Sequence, residues 1–297
     1  MIKGINLSKI YESGFISKKG IVAVDGVDIE IREQETLALV GESGSGKSTL
    51  GRILLLLTKP TSGKVIFDRV DLTRLRNRKL RDLRRKMQII PQHPEDALDP
   101  RWKLYDSIAE PFRIHKIAGK DDEEETVHKL IELVGLDQEL LRRYPHEVSG
   151  GELQRVVIAR AIALNPKFIV CDEPTSMLDV SVQASVVNLL MDLQRKLSMS
   201  YLFITHDLEL ADIVADRIAV MYAGQIVEEG IGVLKDPLHP YTQTLLGITT
   251  PISREAITPR GCKFYNLCPE RSSKCLNAPK TVEMSGRRVK CHLYMEH

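Results

Sequence analysis

One octapeptide constrains this chain more than any other stretch. It reads Gly41-Glu42-Ser43-Gly44-Ser45-Gly46-Lys47-Ser48, the G-x-x-x-x-G-K-[ST] pattern of a phosphate-binding loop. The run before it, Thr36-Leu37-Ala38-Leu39-Val40, is short and apolar, as a buried parallel strand is. The run after it opens with Thr49 and reads as a helix through residue 57. A strand that turns through three glycines into a helix aims successive backbone N–H groups at one spot. The helix N-terminus adds its partial positive charge, and together they hold an anion. Lys47 then reaches the outer phosphates as a point charge, and Ser48 is placed to ligate Mg²⁺. The pattern predicts binding of a nucleoside triphosphate and leaves open which kind of ATPase or GTPase uses it.

Bulk properties narrow the setting. At 297 residues the chain is long enough to bury a full core and to form about two domains. Lys plus Arg (42) nearly balance Asp plus Glu (40), and a net charge of +2 argues against a dedicated nucleic-acid binder. No apolar run approaches bilayer length, and the first nine residues lack the apolar core of a signal peptide. The expected location is therefore the cytoplasm, with any membrane span supplied by another polypeptide. Five cysteines in such a chain are not a disulfide framework by default.

Taken in order, residues 2–7 and 22–31 alternate apolar and polar and read as antiparallel strands. Tyr11 ends the first, where an aromatic either stacks on adenine or packs on the sheet. Residues 69–86 carry nine basic side chains, with Leu80, Leu83 and Met87 on one helical face among them. This reads as a solvated amphipathic helix, with contact to phospholipid headgroups as a secondary role. A strand follows and ends at Gln92. Residues 100–147 show no strand-like run. An acidic start at residues 121–125 and Val127, Leu130, Ile131 and Val134 at helical spacing predict an inserted helical subdomain.

Ser149 is a candidate N-cap, and Gly150 and Gly151 expose backbone N–H groups, which makes a second anion-binding helix start. Phe168-Ile169-Val170-Cys171-Asp172-Glu173 reads as a buried strand that ends in two carboxylates, at the end where open α/β sheets place their ligands. Asp172 suits Mg²⁺ held through water, and Glu173 suits polarisation of an attacking water. Cys171 reads as a small core residue. Residues 201–205 form another buried strand, with His206 at its tip as a candidate contact for a γ-phosphate. Two strands joined by Ala223-Gly224 read as a tight hairpin. The other four cysteines, Cys262, Cys268, Cys275 and Cys291, are spaced C-x5-C-x6-C-x15-C. Four thiolates hold Zn²⁺ or an iron–sulfur cluster. The lack of C-x2-C pairs favours the cluster, which would staple a tail with little apolar core.

This ordered set of motifs resembles the ATP-binding subunit of an ABC transporter. Residues 41–48 match Walker A, Phe168-Ile169-Val170-Cys171-Asp172 matches Walker B, and Glu173 stands at the catalytic glutamate. Ser149-Gly150-Gly151 matches the ABC signature, Gln92 the Q-loop, Ser176-Met177-Leu178-Asp179 the D-loop, His206 the switch histidine and Tyr11 the adenine-stacking position. Two positions depart from the pattern. Glu152 stands where Gln is usual, a negative charge close to where a partner's nucleotide would lie, and His93 follows Gln92 where Asp is frequent. A narrower resemblance is to the oligopeptide/dipeptide importer ATPases. It rests on residues 87–94, on Leu98-Asp99-Pro100-Arg101, on Asp236-Pro237-Leu238-His239-Pro240-Tyr241-Thr242, and on the tail around Cys262 and Cys291.

The resemblance implies an α/β fold: a P-loop NTPase (ABC ATPase) core with an antiparallel β subdomain, a helical subdomain at about residues 98–150, and a C-terminal cysteine-containing extension. The ABC domain would span residues 1–235 and the extension residues 236–297. It implies an ATPase that powers uptake of peptides, with oligosaccharide or nickel import, or a soluble non-transport ATPase, as the alternatives. The nucleotide would be touched by Tyr11, by residues 41–49, and by Gln92, Ser149, Gly150, Gly151, Asp172 and Asp179. Mg²⁺ would be served by Ser48, Gln92 and Asp172. Glu173 and His206 would be catalytic, and the four tail cysteines would carry a [4Fe–4S] centre, or Zn²⁺ in its place. The implied partners are two transmembrane permease subunits, a second ATP-binding subunit (a copy or a paralogue) and, indirectly, an extracellular solute-binding protein, with no nucleic acid. The implied place is the cytoplasmic face of the membrane, peripherally bound.

Overall fold

A computed structural model of the protein describes residues 1–13, 19–117, 119–250 and 261–295. The chain forms two compact units, one built from residues 1–75 and 202–297 and one from residues 76–201.

The first unit holds an antiparallel sheet and most of a mixed one. Strands β1 (Ile2–Ser13), β2 (Lys19–Ile31), β4 (Ser62–Phe67) and β5 (Val70–Asp71) order as β2-β1-β4-β5, all antiparallel. Alternation, with a register shift between Gly4 and Leu7, sends Ile2, Leu7, Val27, Ile29, Ile31, Val65 and Phe67 inward to burial. The mixed sheet is centred on β3 (Thr36–Val40), buried at all five positions because both of its faces are covered. β3 leads into α1 (Lys47–Leu54) through residues 41–46. On one side of β3 lie residues 202–204 of β8 (Ser200–Ile204). On the other lies β9 (Arg217–Tyr222), paired parallel in the register Val40 to Val220.

β9 turns into β10 (Gln225–Gly230) over two residues. Ala223 (φ 46°) and Gly224 (φ 84°) both take positive φ, as a primed hairpin turn requires. The C-terminal strands β11 (Val282–Met284) and β12 (Arg287–Val289) continue this sheet through β12 on β10. Two short helices, α7 (Leu208–Val214) and α8 (Pro240–Leu245), complete the regular elements used below.

A charged knot closes this sheet. Arg217 donates to Glu35 at 2.8 Å and to Glu229, and Arg288 donates to the other oxygen of Glu229. Glu35 and Glu229 are buried, Glu229 almost completely, and Arg217 is mostly so. Removing Arg217 leaves the buried Glu35 carboxylate without this cation and Glu229 with Arg288 alone.

The second unit is mostly helical. It contains α2 (Asn77–Arg84), β6 (Met87–Ile90), α3 (Leu104–His115), α4 (Lys120–Leu133), α5 (Gly150–Ile162), β7 (Phe168–Asp172) and α6 (Val180–Leu197). β6 and β7 pair parallel from Met87–Phe168 to Ile90–Cys171. The helical spacing read at residues 127–134 holds: Val127, Ile131 and Val134 are fully buried. Arg113 of α3 pairs with Asp106 on its own helix and reaches Glu123 of α4 at 2.7 Å, while Arg160 of α5 reaches Glu110 of α3 at 2.6 Å. The basic stretch is corrected in one respect. Its helix stops at Arg84, and Met87 belongs to β6 rather than to a continuing helical face, because pairing with Phe168 captures it. Cys171 is fully buried in β7, as a core residue, and burial pushes its thiol pKa well up. Among the described residues no helix is long and apolar enough to cross a membrane.

Replacing Arg217 by Leu removes the cation of the knot and keeps its bulk. The expected loss is about 3 kcal/mol of stability, the usual cost of stranding a buried charge. Equilibrium unfolding in urea checks it, and a shift under 1 kcal/mol would contradict the role given to the knot.

Candidate functional site

The phosphate loop is shaped by its glycines. Gly41, Gly44 and Gly46 take φ of 147°, 79° and 109°, conformations open to glycine and strained for other residues. Space decides two of them. A Cβ on Gly46 would lie 2.1 Å from the Ala23 carbonyl oxygen of β2, and one on Gly41 would lie 2.1 Å from the Met221 carbonyl oxygen of β9. A Cβ on Gly44 would meet nothing within 4 Å, so the mouth of the loop is open there. Backbone bonds fix the rest: Ser45 N–H donates to Glu42 O, Gly224 N–H to Ser45 O, and Leu50 N–H to Gly46 O.

Lys47 is buried and folds back over the loop, its Nζ donating to Gly41 O at 2.7 Å and to Glu42 O at 2.9 Å. This holds the ammonium beside the loop amides. Ser45 Oγ is buried, with no hydrogen-bond partner among the described residues. A buried hydroxyl lacking a partner costs about 1–3 kcal/mol, and an incoming phosphate oxygen removes that cost. Open mouth, buried cation and orphaned hydroxyl together fit a polyphosphate.

Two more expected nucleotide residues share this unit. Tyr11 sits on β1 opposite Ile21, its ring two-fifths exposed and 5.0 Å from the Lys9 ammonium, so it lies open rather than packed into the core. His206 is exposed, two residues beyond the end of β8. The next residue, Asp207, caps α7 by accepting from Leu210 N–H at 3.0 Å.

The second unit gathers the other expected residues. Asp172 is buried at the end of β7. Glu173 follows at φ 47°, a left-handed backbone that is uncommon for a non-glycine and is found where function over-determines the chain. Its Oε2 accepts from Gln92 Nε2 at 3.1 Å, which ties the Q-loop position to the carboxylate placed for water activation. Asp179 caps α6, accepting from Val182 N–H at 3.0 Å and Ser181 Oγ at 2.7 Å, and the Val182 bond holds its pKa below the usual carboxylate range.

Ser149 caps α5, with Gly150 and Gly151 forming its first turn. A Cβ on Gly151 would stand 2.5 Å from Val182 Cγ1, so only glycine lets α5 approach the start of α6 this closely. Glu152 keeps its negative charge and has a local role beside it. It accepts from Ser149 N–H at 2.8 Å and from Ser149 Oγ at 2.8 Å, closing a capping box that lowers its pKa. The S-x-x-E spacing carried this signal.

The tail cysteines converge in the first unit. Cys262, Cys268, Cys275 and Cys291 line one cavity of about 240 Å³, together with His239 and Phe264. Cys262 N–H donates to Cys275 O at 2.9 Å, which joins the first and third. Burial raises the Cys262 thiol and pushes Cys268 up to about 12 and Cys291 up to about 11. These thiols stay neutral until a cation compensates them. Among the described residues no group of three or more His, Cys, Asp or Glu side chains is placed to hold one metal ion.

Sequence reasoning missed Tyr241. Its Oη accepts the Glu42 N–H of the phosphate loop at 3.1 Å, across 199 positions of sequence. The segment around it was visible only as a family-like motif, with no role for the tyrosine.

With this geometry in place, the likenesses have a physical basis. A family model described as ABC transporter matches residues 24–176. The oligopeptide transport ATP-binding protein OppF of Bacillus subtilis (strain 168) is 48% identical over 237 residues, covering 78% of this chain and 78% of that protein. AppF of the same organism, also named an oligopeptide transport ATP-binding protein, is 42% identical over 95% of this chain and 93% of its own length. The dipeptide transport ATP-binding protein DppF of Escherichia coli (strain K12) is 38% identical over 98% and 93%. Among solved structures, a dimeric post-hydrolysis state of the ATP-binding cassette MJ0796 bound to ADP and Pi superposes with a TM-score of 0.71 at 30% identity, over 77% of this chain and 98% of that one. The chain belongs to the ABC transporter family. It has the ABC ATPase fold and is an ATPase coupled to transport.

Gly46→Ala adds a methyl group against the Ala23 carbonyl and strains the backbone. Strain of about 1–3 kcal/mol corresponds to a loss of ATP affinity of roughly 10- to 100-fold. Calorimetric titration with ATP checks it, with circular dichroism to show that the fold is kept. Unchanged affinity would mean that the loop does not need this close approach.

Proposed function

We propose that this chain is the ATP-hydrolysing subunit of a di- or oligopeptide importer. It works at the cytoplasmic face of the membrane on two permease subunits that carry the spans, and a solute-binding protein outside delivers the peptide to them. The observation that carries the reading is the phosphate loop, with its open mouth and its buried Lys47. Relatives named for oligopeptide and dipeptide transport, matched over nearly their whole lengths, support the choice of cargo.

The roles follow the chemistry of each group. Residues 41–49 form the phosphate cradle, in which the Glu42 and Ser45 amides bond within the protein and the other amides serve the anion, Lys47 supplies charge, and Tyr11 offers its open ring to adenine. His206 contacts the γ-phosphate. Ser48, Asp172 and Gln92 are the oxygen ligands suited to Mg²⁺, directly or through water, and the ion supplies charge to offset the phosphate oxygens. Glu173 takes the proton of the attacking water. In the present structure Gln92 holds that carboxylate, and moving Gln92 away opens the oxygen to water. Ser149, Gly150 and Gly151 serve the nucleotide of a second ATP-binding subunit, and Asp179 sits at the start of the helix packed on them.

We assign a [4Fe–4S] cluster to Cys262, Cys268, Cys275 and Cys291. Four cysteines that line one cavity support the reading, since a [4Fe–4S] cluster takes one thiolate per iron, and Zn²⁺ is the alternative occupant. The cluster would join segments that have few apolar residues to pack.

Glu173→Gln keeps the shape and removes the base. Turnover should fall about 10²-fold or more while ATP affinity stays within about threefold. Phosphate-release kinetics beside calorimetry test this, and near-normal hydrolysis would sink the role of Glu173. For the tail, chain purified without oxygen should be brown and carry about four irons per chain, with Cys275→Ser losing most of them. Colourless, metal-free protein with four titratable tail thiols would reject the cluster.

A further inference from the structure

The phosphate loop and the cysteine cavity lie in the same unit, and one side chain touches the surroundings of both. Tyr241 is 1% exposed. Its Oη accepts the Glu42 N–H at 3.1 Å. Its own N–H donates to His239 Nδ1 at 3.0 Å, and its ring meets Phe264 edge-on with centroids 5.5 Å apart. Both His239 and Phe264 line the cavity. Phe264 also lies in the short segment between Cys262 and Cys268, so a change in the position of those sulfurs reaches it directly.

The packing leaves little slack. Tyr222 closes the group from β9, with its ring centroid 4.4 Å from Tyr241 and 5.4 Å from Phe264. Val40, the last residue before the loop, and Cys268 belong to the same buried cluster. Interiors packed this densely transmit displacement instead of absorbing it. Glu42 N–H points into protein, onto the tyrosine oxygen, and so fixes the loop from behind.

We propose that Tyr241 is a positioning residue for the phosphate loop, and that through it the state of the four-cysteine cavity sets the affinity of the loop for ATP. The coupling half rests on the reading of the cavity as a cluster site. It runs both ways: if loading the cavity tightens ATP binding by some factor, ATP tightens retention of the load by the same factor.

The test uses the full chain, anaerobically, with and without its iron. Iron content and visible absorbance report loading, and calorimetry reports the dissociation constant for ATP. The loaded form is expected to bind ATP roughly fivefold or more tightly than the iron-free form, the lower end of ordinary coupling between sites. Tyr241→Phe keeps the ring and removes the oxygen. It should still load with iron, bind ATP more weakly than the native chain, and show a loaded-to-unloaded ratio near one. The ratio separates positioning from a general loss of stability, which would weaken both forms alike. Iron bound with equal ATP affinity in both forms of the native chain overturns the coupling and leaves the cluster standing. A Tyr241→Phe variant with the native affinity and ratio overturns the role of Tyr241. Protein that takes up no iron overturns the coupling and the cluster reading together.

Discussion

The architecture of the first unit depends on one close approach. At Gly46 the backbone passes so near the Ala23 carbonyl of β2 that no side chain fits. That contact fixes where the loop ends and α1 begins, with Leu50 N–H closing the first turn onto Gly46 O. Gly41 does the same at the other end against Met221 of β9. The loop is therefore clamped between two carbonyls of neighbouring strands. Lys47, folded over its carbonyl oxygens, is held in a buried position that a charged side chain otherwise avoids. A fixed cation beside inward-facing amides is organised before any ligand arrives, which is the condition for strong electrostatic stabilisation.

Much of this was legible in the sequence because it is local. β3, β7 and β8 are each buried at every position, and strands covered on both faces appear as unbroken apolar runs. Glycine spacing announced the loop, and Ser149 announced its cap. What failed was non-local. Met87 continued a helical periodicity that the chain does not follow, because its strand is decided by Phe168, far along the sequence. Glu152 was readable as a capping-box partner from the S-x-x-E spacing, and the sequence reading named only its charge at the signature position. The cysteine spacing suggested a shared site but could not show that the four cysteines line one cavity. Nothing local marked Tyr241, whose partner lies in the first sixth of the chain.

The tail is not an appendage hung on a finished sheet. β12 pairs with β10, Arg288 completes the charge balance of Glu229, and Arg287 pairs with Asp236 at 2.7 Å. Glu228, fully buried on β10, accepts the N–H groups of Leu238 and His239 at 2.9 Å each. Burial raises its pKa, while these amides favour the charged form. His239 is held neutral by the same burial, its pKa lowered to about 3, so its Nδ1 is available to accept from Tyr241. The segment leading to the cysteine cavity is thus anchored to the sheet, and at Glu228 and His239 the anchor is buried.

In the second unit, the contact between Gly151 and Val182 has a mechanical meaning. With no Cβ between them, the start of α5 rests directly on the first turn of α6, and each helix is capped by its own side chain, Ser149 and Asp179. Neither end has a flexible spacer through which to yield. Sliding one past the other changes how Val182 sits on Gly151, so a displacement of the α6 start is felt directly at the start of α5.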